Sequence, residues 1–125
     1  TGAEISGQKI GGTIEGAHLL FPDPMGATGN SLTRAINAFK SGKLGQPTAI
    51  FSLNLIVTPQ FIRALKAAHP ECTIYALRLD RGMSAPDILE TIPGTHWAEE
   101  SGLDENDYIV PGGGGFGELM NNSWV

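Results

Sequence analysis

The chain has 125 residues, with 13 acidic side chains against 8 Lys and Arg and a formal net charge of −5. This length allows one modest hydrophobic core, so we expect one domain or part of one. The cations are scattered, which argues against binding to the phosphate backbone of nucleic acids. No apolar run approaches the ~20 residues that cross a bilayer, and we expect a soluble, cytoplasmic protein without a membrane partner.

The first segment is polar and rich in glycine over residues 1–13, without an apolar period that would define a helix or a strand. We interpret residues 1–16 as a linker or the remnant of a flap. Because the chain starts at Thr1, we expect it to be the trailing piece of a longer protein or a processed product.

Residues 17–80 are predicted to form a β-α-β-α-β core. The apolar run HLLF at 18–21 predicts a buried strand that stops at Asp23, because prolines flank this acid. A helix is predicted over residues 31–41 from apolar side chains at helical spacing, with Gly42 as its stop. That apolar face consists of Leu32, Ala35, Ile36 and Phe39.

The second half of this core repeats the pattern. Residues 49–57 (AIFSLNLIV) predict a strand, and Thr58-Pro59 is typical of a helix start. Residues 73–79 (TIYALRL) predict the third strand. Strands alternating with helices over short connections indicate an α/β fold with a parallel sheet and crossover helices.

Residues 81–107 form an acidic insertion, for which we predict a solvated loop around a short helix at 85–91. His96 and Glu99 are three residues apart, but without further ligands we do not assign a metal site to them. The single Cys72 is interpreted as a buried structural residue, and Trp97 as a packing or interface residue.

One candidate site follows the first strand, at residues 23–31 (DPMGATGNS). In a parallel α/β sheet, ligands bind beyond the carboxyl ends of the strands. Gly26 and Gly29 allow the backbone to curl, and Thr28 and Ser31 add hydroxyl groups beside the positive end of the next helix. This arrangement suits a phosphate. An ordinary turn with an N-cap serine explains the residues equally well, and the absence of a Walker A lysine argues against an NTP-binding loop.

A second candidate is the glycine tract in residues 102–118, where a Tyr-Ile-Val triplet meets Pro111 and four glycines. Runs of glycine occur where something approaches the backbone closely. The spacing matches GxGxxG, but too few residues follow for a dinucleotide-binding unit. A flexible tail is the alternative, and the apolar triplet beside the glycines argues against it.

Both segments resemble a known family. FPDPMGATGNS at 21–31 resembles the phosphoribosyl pyrophosphate signature of type I phosphoribosyltransferases, and Asp-Pro-Met followed by Ala-Thr-Gly-x-Ser is similar to its uracil-specific family. YIVPGGGGFGE at 108–118 is similar to the uracil-binding loop of the same family. The resemblance implies a Rossmann-like phosphoribosyltransferase core that is incomplete in this chain, with residues 108–125 as base-binding loop and tail.

The resemblance also implies roles for individual residues. Asp23 would face the ribose hydroxyls as the catalytic acid, and Met25 would line the cavity between ribose and base. The base would meet backbone groups of Ile109, Gly114 and Phe116, beside Gly115, with Tyr108 as the pocket wall. The 5′-phosphate would be held by Ala27, Thr28, Gly29, Asn30 and Ser31.

The implied reaction joins uracil to the ribose C1 of phosphoribosyl pyrophosphate, giving UMP and pyrophosphate, with Mg²⁺ bound to the pyrophosphate and not in a dedicated protein cage. The implied assembly is a homodimer or higher homo-oligomer. The pyrophosphate loop and flap of the family lie earlier than this sequence, so we expect that a missing amino-terminal half is required.

Two departures from the family pattern leave alternatives open. Gly115 and Glu118 stand where the family loop has two Asp residues, and the 83–101 stretch is longer than the usual link. A non-catalytic nucleotide-binding or regulatory homologue and a transferase for another base are therefore the competing hypotheses.

Overall fold

A computed structural model describes residues 11–41 and 43–114. The elements in chain order are β1 (His18–Pro22), β2 (Met25–Gly26), α1 (Asn30–Phe39), β3 (Ala49–Val57), α2 (Pro59–Ala68), β4 (Thr73–Leu79) and α3 (Pro86–Leu89). The predicted β-α-β-α-β order of the core is confirmed. The two-residue strand β2 lies inside the predicted phosphate-binding turn and was not predicted.

Strand β3 is the centre of a four-stranded parallel sheet. β1 and β2 follow one another along one side of β3, and β4 pairs with its other side. In this register Gly26 lies beside Val57, and Val57 lies beside Leu79. The carboxyl ends of β2, β3 and β4 therefore reach the same edge of the sheet, and the loops that follow them share that edge.

The hydrophobic core lies between the sheet and the helices α1 and α2. The chain steps from β1 to β3 and on to β4 in one direction across the sheet, and right-handed crossovers then place both helices on the same face. The side chains buried there come from both helices and from β3, and they include Cys72: Leu32, Ile36, Ile50, Val57, Phe61, Leu65 and Cys72. The prediction of a buried structural cysteine is confirmed.

The opposite face of the sheet, which we call the open face, is covered by no element in the described part of the chain. It exposes five large apolar side chains: Leu20, Leu53, Leu55, Tyr75 and Leu77. The prediction that β1 is a buried strand is wrong, because its residues alternate and Leu20 is 58% exposed. A groove of about 550 Å³ along this face is lined by Asp23 and by residues of β3 and β4.

The acidic insertion is exposed at most of its positions, as predicted for a solvated loop, and a few side chains anchor it. The predicted short helix is present as α3, and the Arg81 guanidinium donates to the carbonyl oxygen of Ile88 at 2.9 Å. Arg63 on α2 donates to the carbonyl oxygen of Trp97 at 2.6 Å and lies 5.6 Å from the centre of its ring. The interpretation of Trp97 as a packing residue is confirmed. No helix within 11–41 and 43–114 is long and apolar enough to span a bilayer.

Candidate active site

The predicted phosphate-binding turn ends in a left-handed residue. Gly29 is the N-cap of α1 with φ 82°, and no side chain caps the helix. The alternative of an N-cap serine is therefore wrong, since Ser31 lies inside the helix. Only the amide of Asn30 contacts a side-chain acceptor, the Thr28 hydroxyl at 3.4 Å. No acceptor in the described residues binds the amides of Thr28, Gly29 and Ser31, so they are available to an anion.

Thr58, which follows β3, holds this turn in place. Its buried hydroxyl donates to the carbonyl oxygen of Ala27 at 2.6 Å and accepts from the amide of Phe61 at 3.0 Å. Its own amide donates to the carbonyl oxygen of Gly26 at 3.0 Å. One threonine therefore caps α2 and fixes the turn between β2 and α1 to the central strand.

Asp23 lies where β1 ends, and its backbone is fixed on both sides. Its amide donates to the carbonyl oxygen of Leu53 at 3.0 Å, and its carbonyl oxygen accepts from the Asn54 side chain at 2.6 Å. The carboxylate accepts one bond, from the amide of Met25 at 3.3 Å. Burial raises the pKa of Asp23, and the Met25 hydrogen bond opposes this only in part.

The glycine tract lies next to the first turn. A Cβ atom placed on Gly113 would lie 3.6 Å from Cε of Met25 and 3.9 Å from Cδ1 of Ile56. The structure thus brings the two candidate segments together, although about eighty residues separate them in the sequence. Met25 stands at their contact, which is where the resemblance puts a residue between ribose and base.

The loop that leads into the glycine tract is built on backbone contacts. Ile109 forms an antiparallel bridge with Leu103, and the carbonyl oxygen of Val110 accepts from the amide of Gly82 at 2.8 Å. Gly112 has φ 64°, and a Cβ there would lie 2.1 Å from the carbonyl oxygen of Ile109. Only glycine fits this turn.

The remaining predicted base-binding residues are placed as follows. The Tyr108 side chain is about half exposed, and its amide donates to the Asp104 carboxylate at 2.9 Å. Gly114 is exposed with φ 73°. Gly115 and Phe116 lie outside the described residues, so their predicted roles stay predictions.

Sequence reasoning missed a second acid that directly follows a strand of the sheet. Asp80 follows β4 as Asp23 follows β1, and it is 3% exposed. Its Oδ1 lies 2.6 Å from Nε of Arg78, and its Oδ2 accepts from the amide of Gly112 at 2.7 Å. The criterion that selected Asp23, an acid at the carboxyl end of a strand, would have selected Asp80 as well.

In the part of the chain that the structure describes, no cluster of three or more His, Cys, Asp or Glu side chains could hold a metal ion. His96 Nδ1 lies 3.6 Å from Glu99 Oε1, and both side chains are exposed. Mg²⁺ commonly keeps several waters and binds through one or two carboxylates together with substrate phosphates.

Comparison with known proteins identifies relatives. The family model for uracil phosphoribosyltransferase matches residues 2–96, which include the first turn and end before the glycine tract. Uracil phosphoribosyltransferases from Lacticaseibacillus paracasei and Halalkalibacterium halodurans are 36% and 34% identical over 112 residues, 90% of this chain and 43% of each relative. The chain therefore spans less than half the length of these curated relatives.

A solved structure of a protein from Aquifex aeolicus shares the fold. It superposes with a TM-score of 0.64 at 22% identity, covering 90% of this chain and 43% of that one. The structure thus confirms the predicted α/β fold with a parallel sheet, and the partial coverage agrees with an incomplete core. On the family match over residues 2–96, the chain belongs to the uracil phosphoribosyltransferase family.

Proposed function

We propose that this chain contributes the phosphoribosyl and base sites of an enzyme that transfers a phosphoribosyl group from phosphoribosyl pyrophosphate to uracil, giving UMP and pyrophosphate. The observation that carries this proposal is the contact between Met25 and the glycine tract. A sugar-phosphate turn and a base-binding loop are useful to one reaction only if they border one cavity.

The turn after β2 would bind the 5′-phosphate. The amides of Thr28, Gly29 and Ser31 have no acceptor among the described residues, and they lie at the amino end of the ten-residue helix α1. Successive amides at a helix start attract a dianion through direct hydrogen bonds and the helix dipole. Ala27 and Asn30 would complete this turn around the phosphate.

Asp23 would act on the ribose. A carboxylate at the ribose hydroxyls stabilises the positive charge that develops at C1 as pyrophosphate leaves. The pKa of Asp23 is raised by burial, so its ionised form is poorly solvated, and a cationic partner would stabilise it. In this proposal the developing ribosyl cation is that partner.

The base would bind along the loop from Tyr108 to Phe116. Backbone groups of Ile109 and Gly114 would pair with the uracil edge, beside Gly115 and Phe116, while Tyr108 would border the pocket. Fixed backbone donors and acceptors discriminate between bases, because a wrong base leaves buried polar groups unpaired.

Mg²⁺ is proposed to enter bound to phosphoribosyl pyrophosphate, and it would neutralise charge on the leaving pyrophosphate. The protein's own contribution is positioning: the turn holds the phosphate, Asp23 orients the ribose, and the loop holds the base against C1.

The open face supports a proposal about the rest of the protein. Leu77 is 84% exposed, and Tyr75, Leu20 and Leu55 are each more than half exposed. Monomeric soluble proteins rarely expose apolar patches of this kind. We propose that an amino-terminal portion, corresponding to the part of the relatives outside this match, is required for activity, and that the protein forms a homodimer or higher homo-oligomer.

The test is a transfer assay on the longest product that the gene encodes, with labelled uracil, phosphoribosyl pyrophosphate and Mg²⁺. We expect labelled UMP from the unmodified protein and from Asp87→Asn, a change to an exposed acid on α3. Asp23→Asn should lose about 100-fold or more in kcat, as expected when an electrostatic contact to the transition state is removed. No UMP from the unmodified protein would refute uracil transfer.

Gly115 favours a second candidate, a nucleotide-binding or regulatory homologue without turnover, because this glycine stands where the family loop has an Asp carboxylate. That candidate predicts calorimetric binding of UMP without product in the transfer assay. A panel of other bases in the same assay tests the third candidate, a transferase for a different base.

A further inference from the structure

We infer that Arg78 and Asp80 form a clamp that positions the glycine tract, and that they set the affinity for the base without touching it. The claim about base affinity rests on the proposed function. The claim that Arg78 and Asp80 hold residues 112–114 in place does not.

The clamp holds one residue, Gly112, through both of its backbone polar groups. Asp80 Oδ2 accepts from the amide of Gly112 at 2.7 Å, while Nη2 of Arg78 donates to the carbonyl oxygen of Gly112 at 3.0 Å. The same Nη2 donates to Asp80 Oδ2 at 2.9 Å, and Nε of Arg78 lies 2.6 Å from Asp80 Oδ1. Both polar groups of Gly112 are thereby paired with charged side chains.

The clamp is fixed to the sheet and not to the loop that it holds. Arg78 belongs to β4, where it pairs with Ile56 of β3, and the amide of Asp80 donates to the carbonyl oxygen of Val57 at 2.8 Å. Asp80 is 3% exposed, so its charge is kept from water and depends on Arg78. The positions of Gly112 and its neighbours are therefore set by the two strands that also support the phosphate turn.

The glycine tract needs such a clamp. Glycine loses more conformational freedom on ordering than any other residue, and Gly113 and Gly114 follow Gly112 directly. Hydrogen bonds to charged groups are roughly twice as strong as neutral ones. Upstream, Val110 is held by backbone bonds to Gly82 and Gly102, so losing the clamp should release residues 112–114 and leave Val110 in place.

Three variants separate positioning from general damage. Arg78→Lys keeps the charge but loses the planar fork that reaches Asp80 and Gly112 together. The double change Arg78→Gln with Asp80→Asn removes both charges, so it leaves no buried carboxylate unpaired and guards against misfolding. Arg34→Gln on α1 is the matched control, because Arg34 is exposed and its side chain forms no hydrogen bond or ion pair with the described residues.

The first measurement is amide hydrogen exchange, which needs no activity. We expect exchange at the Gly112 amide, which donates to Asp80, to be at least about tenfold faster in Arg78→Lys and in the double variant, with Val110 and β3 unchanged, since each variant loses charge-assisted bonds. Unchanged exchange at this amide would overturn the inference, whatever the protein catalyses.

The second measurement is steady-state kinetics on the longest gene product. We expect KM for uracil to rise about tenfold or more in both variants while KM for phosphoribosyl pyrophosphate stays within about twofold, since the phosphate turn is held by other residues. Equal rises in both constants would show general damage and refute a positioning role. If the unmodified protein forms no UMP, uracil transfer fails, and the exchange measurement alone decides on the clamp.

Discussion

Replacing Thr58 by Val should destabilise the protein by about 2–4 kcal/mol while keeping the volume of the side chain. The change removes the α2 cap, at about 1 kcal/mol, and leaves the carbonyl oxygen of Ala27 without its partner, at about 1–3 kcal/mol. Both bonds come from one fully buried hydroxyl. Thr58→Ser is the matched control, because it keeps the hydroxyl and loses only a methyl group, at about 1 kcal/mol.

Urea unfolding followed by circular dichroism measures this difference. With a slope of about 2 kcal/mol per molar urea, the middle of the range for small proteins, Thr58→Val should shift the midpoint by roughly 1–2 M and leave the slope unchanged. It should also raise KM for phosphoribosyl pyrophosphate, since the carbonyl oxygen of Ala27, in the turn proposed to hold the phosphate, loses its bond to the side chain of residue 58. Equal losses of stability in Thr58→Val and Thr58→Ser would refute the reasoning, because the hydroxyl would then contribute nothing.

Three further predictions concern single residues. Asp23→Asn should raise the free energy of unfolding at neutral pH, because burial raises the pKa of this carboxyl and makes its ionised form costly. The gain in unfolding free energy of Asp23→Asn over the unmodified protein, measured by urea titration, should vanish as the pH falls through the folded pKa of Asp23 towards the ordinary value of 3.8. Gly29→Ala should cost more in thermal unfolding than Gly94→Ala. Both glycines have positive φ, a conformation that costs a residue with a side chain about 1–2 kcal/mol. Of the two, only Gly29 has a neighbour that the new Cβ would contact, the Cβ of Ala64 at 3.2 Å. The Cys72 thiol should react with a thiol reagent only after unfolding, because it is fully buried and burial raises its pKa.

Each of these has an outcome that would contradict it. If Asp23→Asn is less stable than the unmodified protein at neutral pH, the carboxylate has a stabilising partner that the described contacts do not include. Equal melting temperatures for Gly29→Ala and Gly94→Ala would mean that the helix start relaxes away from α2. Fast labelling of Cys72 in native buffer would show that the core between sheet and helices opens readily.

The sequence was sufficient for the order of the core elements, because its local signals agree with one another. Thr58-Pro59 was read as a helix start, and the Thr58 hydroxyl does cap α2. Helical spacing placed Leu32 and Ile36 in the core, where both are buried. Where helix or strand propensity, the apolar pattern and the capping residues all indicate the same element, the folded protein keeps that element.

The burial of β1 could not be predicted, because it depends on what covers the sheet. HLLF reads as a strand buried on both faces, yet both crossovers turn the same way and leave Leu20 on the open face. The burial of Glu100 in the acidic insertion could not be predicted for a related reason. Its charge indicates solvent, but Glu100 is buried, with Oε1 3.6 Å from Nη1 of Arg81. A sequence lists charges without showing which of them are paired.

Parts of the candidate site could be predicted from the sequence, but the residues that hold those parts in place could not. Asp23 and Gly29 stand out because a proline-flanked acid and a glycine-rich turn are local signals. Asn54 bonds the backbone of Asp23, and Thr58 bonds that of Ala27, across 31 residues of sequence. The polar Asn54 within an apolar strand was the available hint, since a buried amide needs a partner.

The two acids that follow strands of the sheet show how the partners of a carboxylate help to assign its role. Both follow strands, but the Asp80 carboxylate is buried and already paired with Arg78 and with the amide of Gly112. Asp23 accepts one amide and pairs with no cation in the described residues, and burial keeps its pKa raised. A partly buried carboxylate without a counter-charge is costly to the fold. Such a cost is typical of functional sites, and it favours Asp23 over Asp80 as the group that meets the developing positive charge on the ribose.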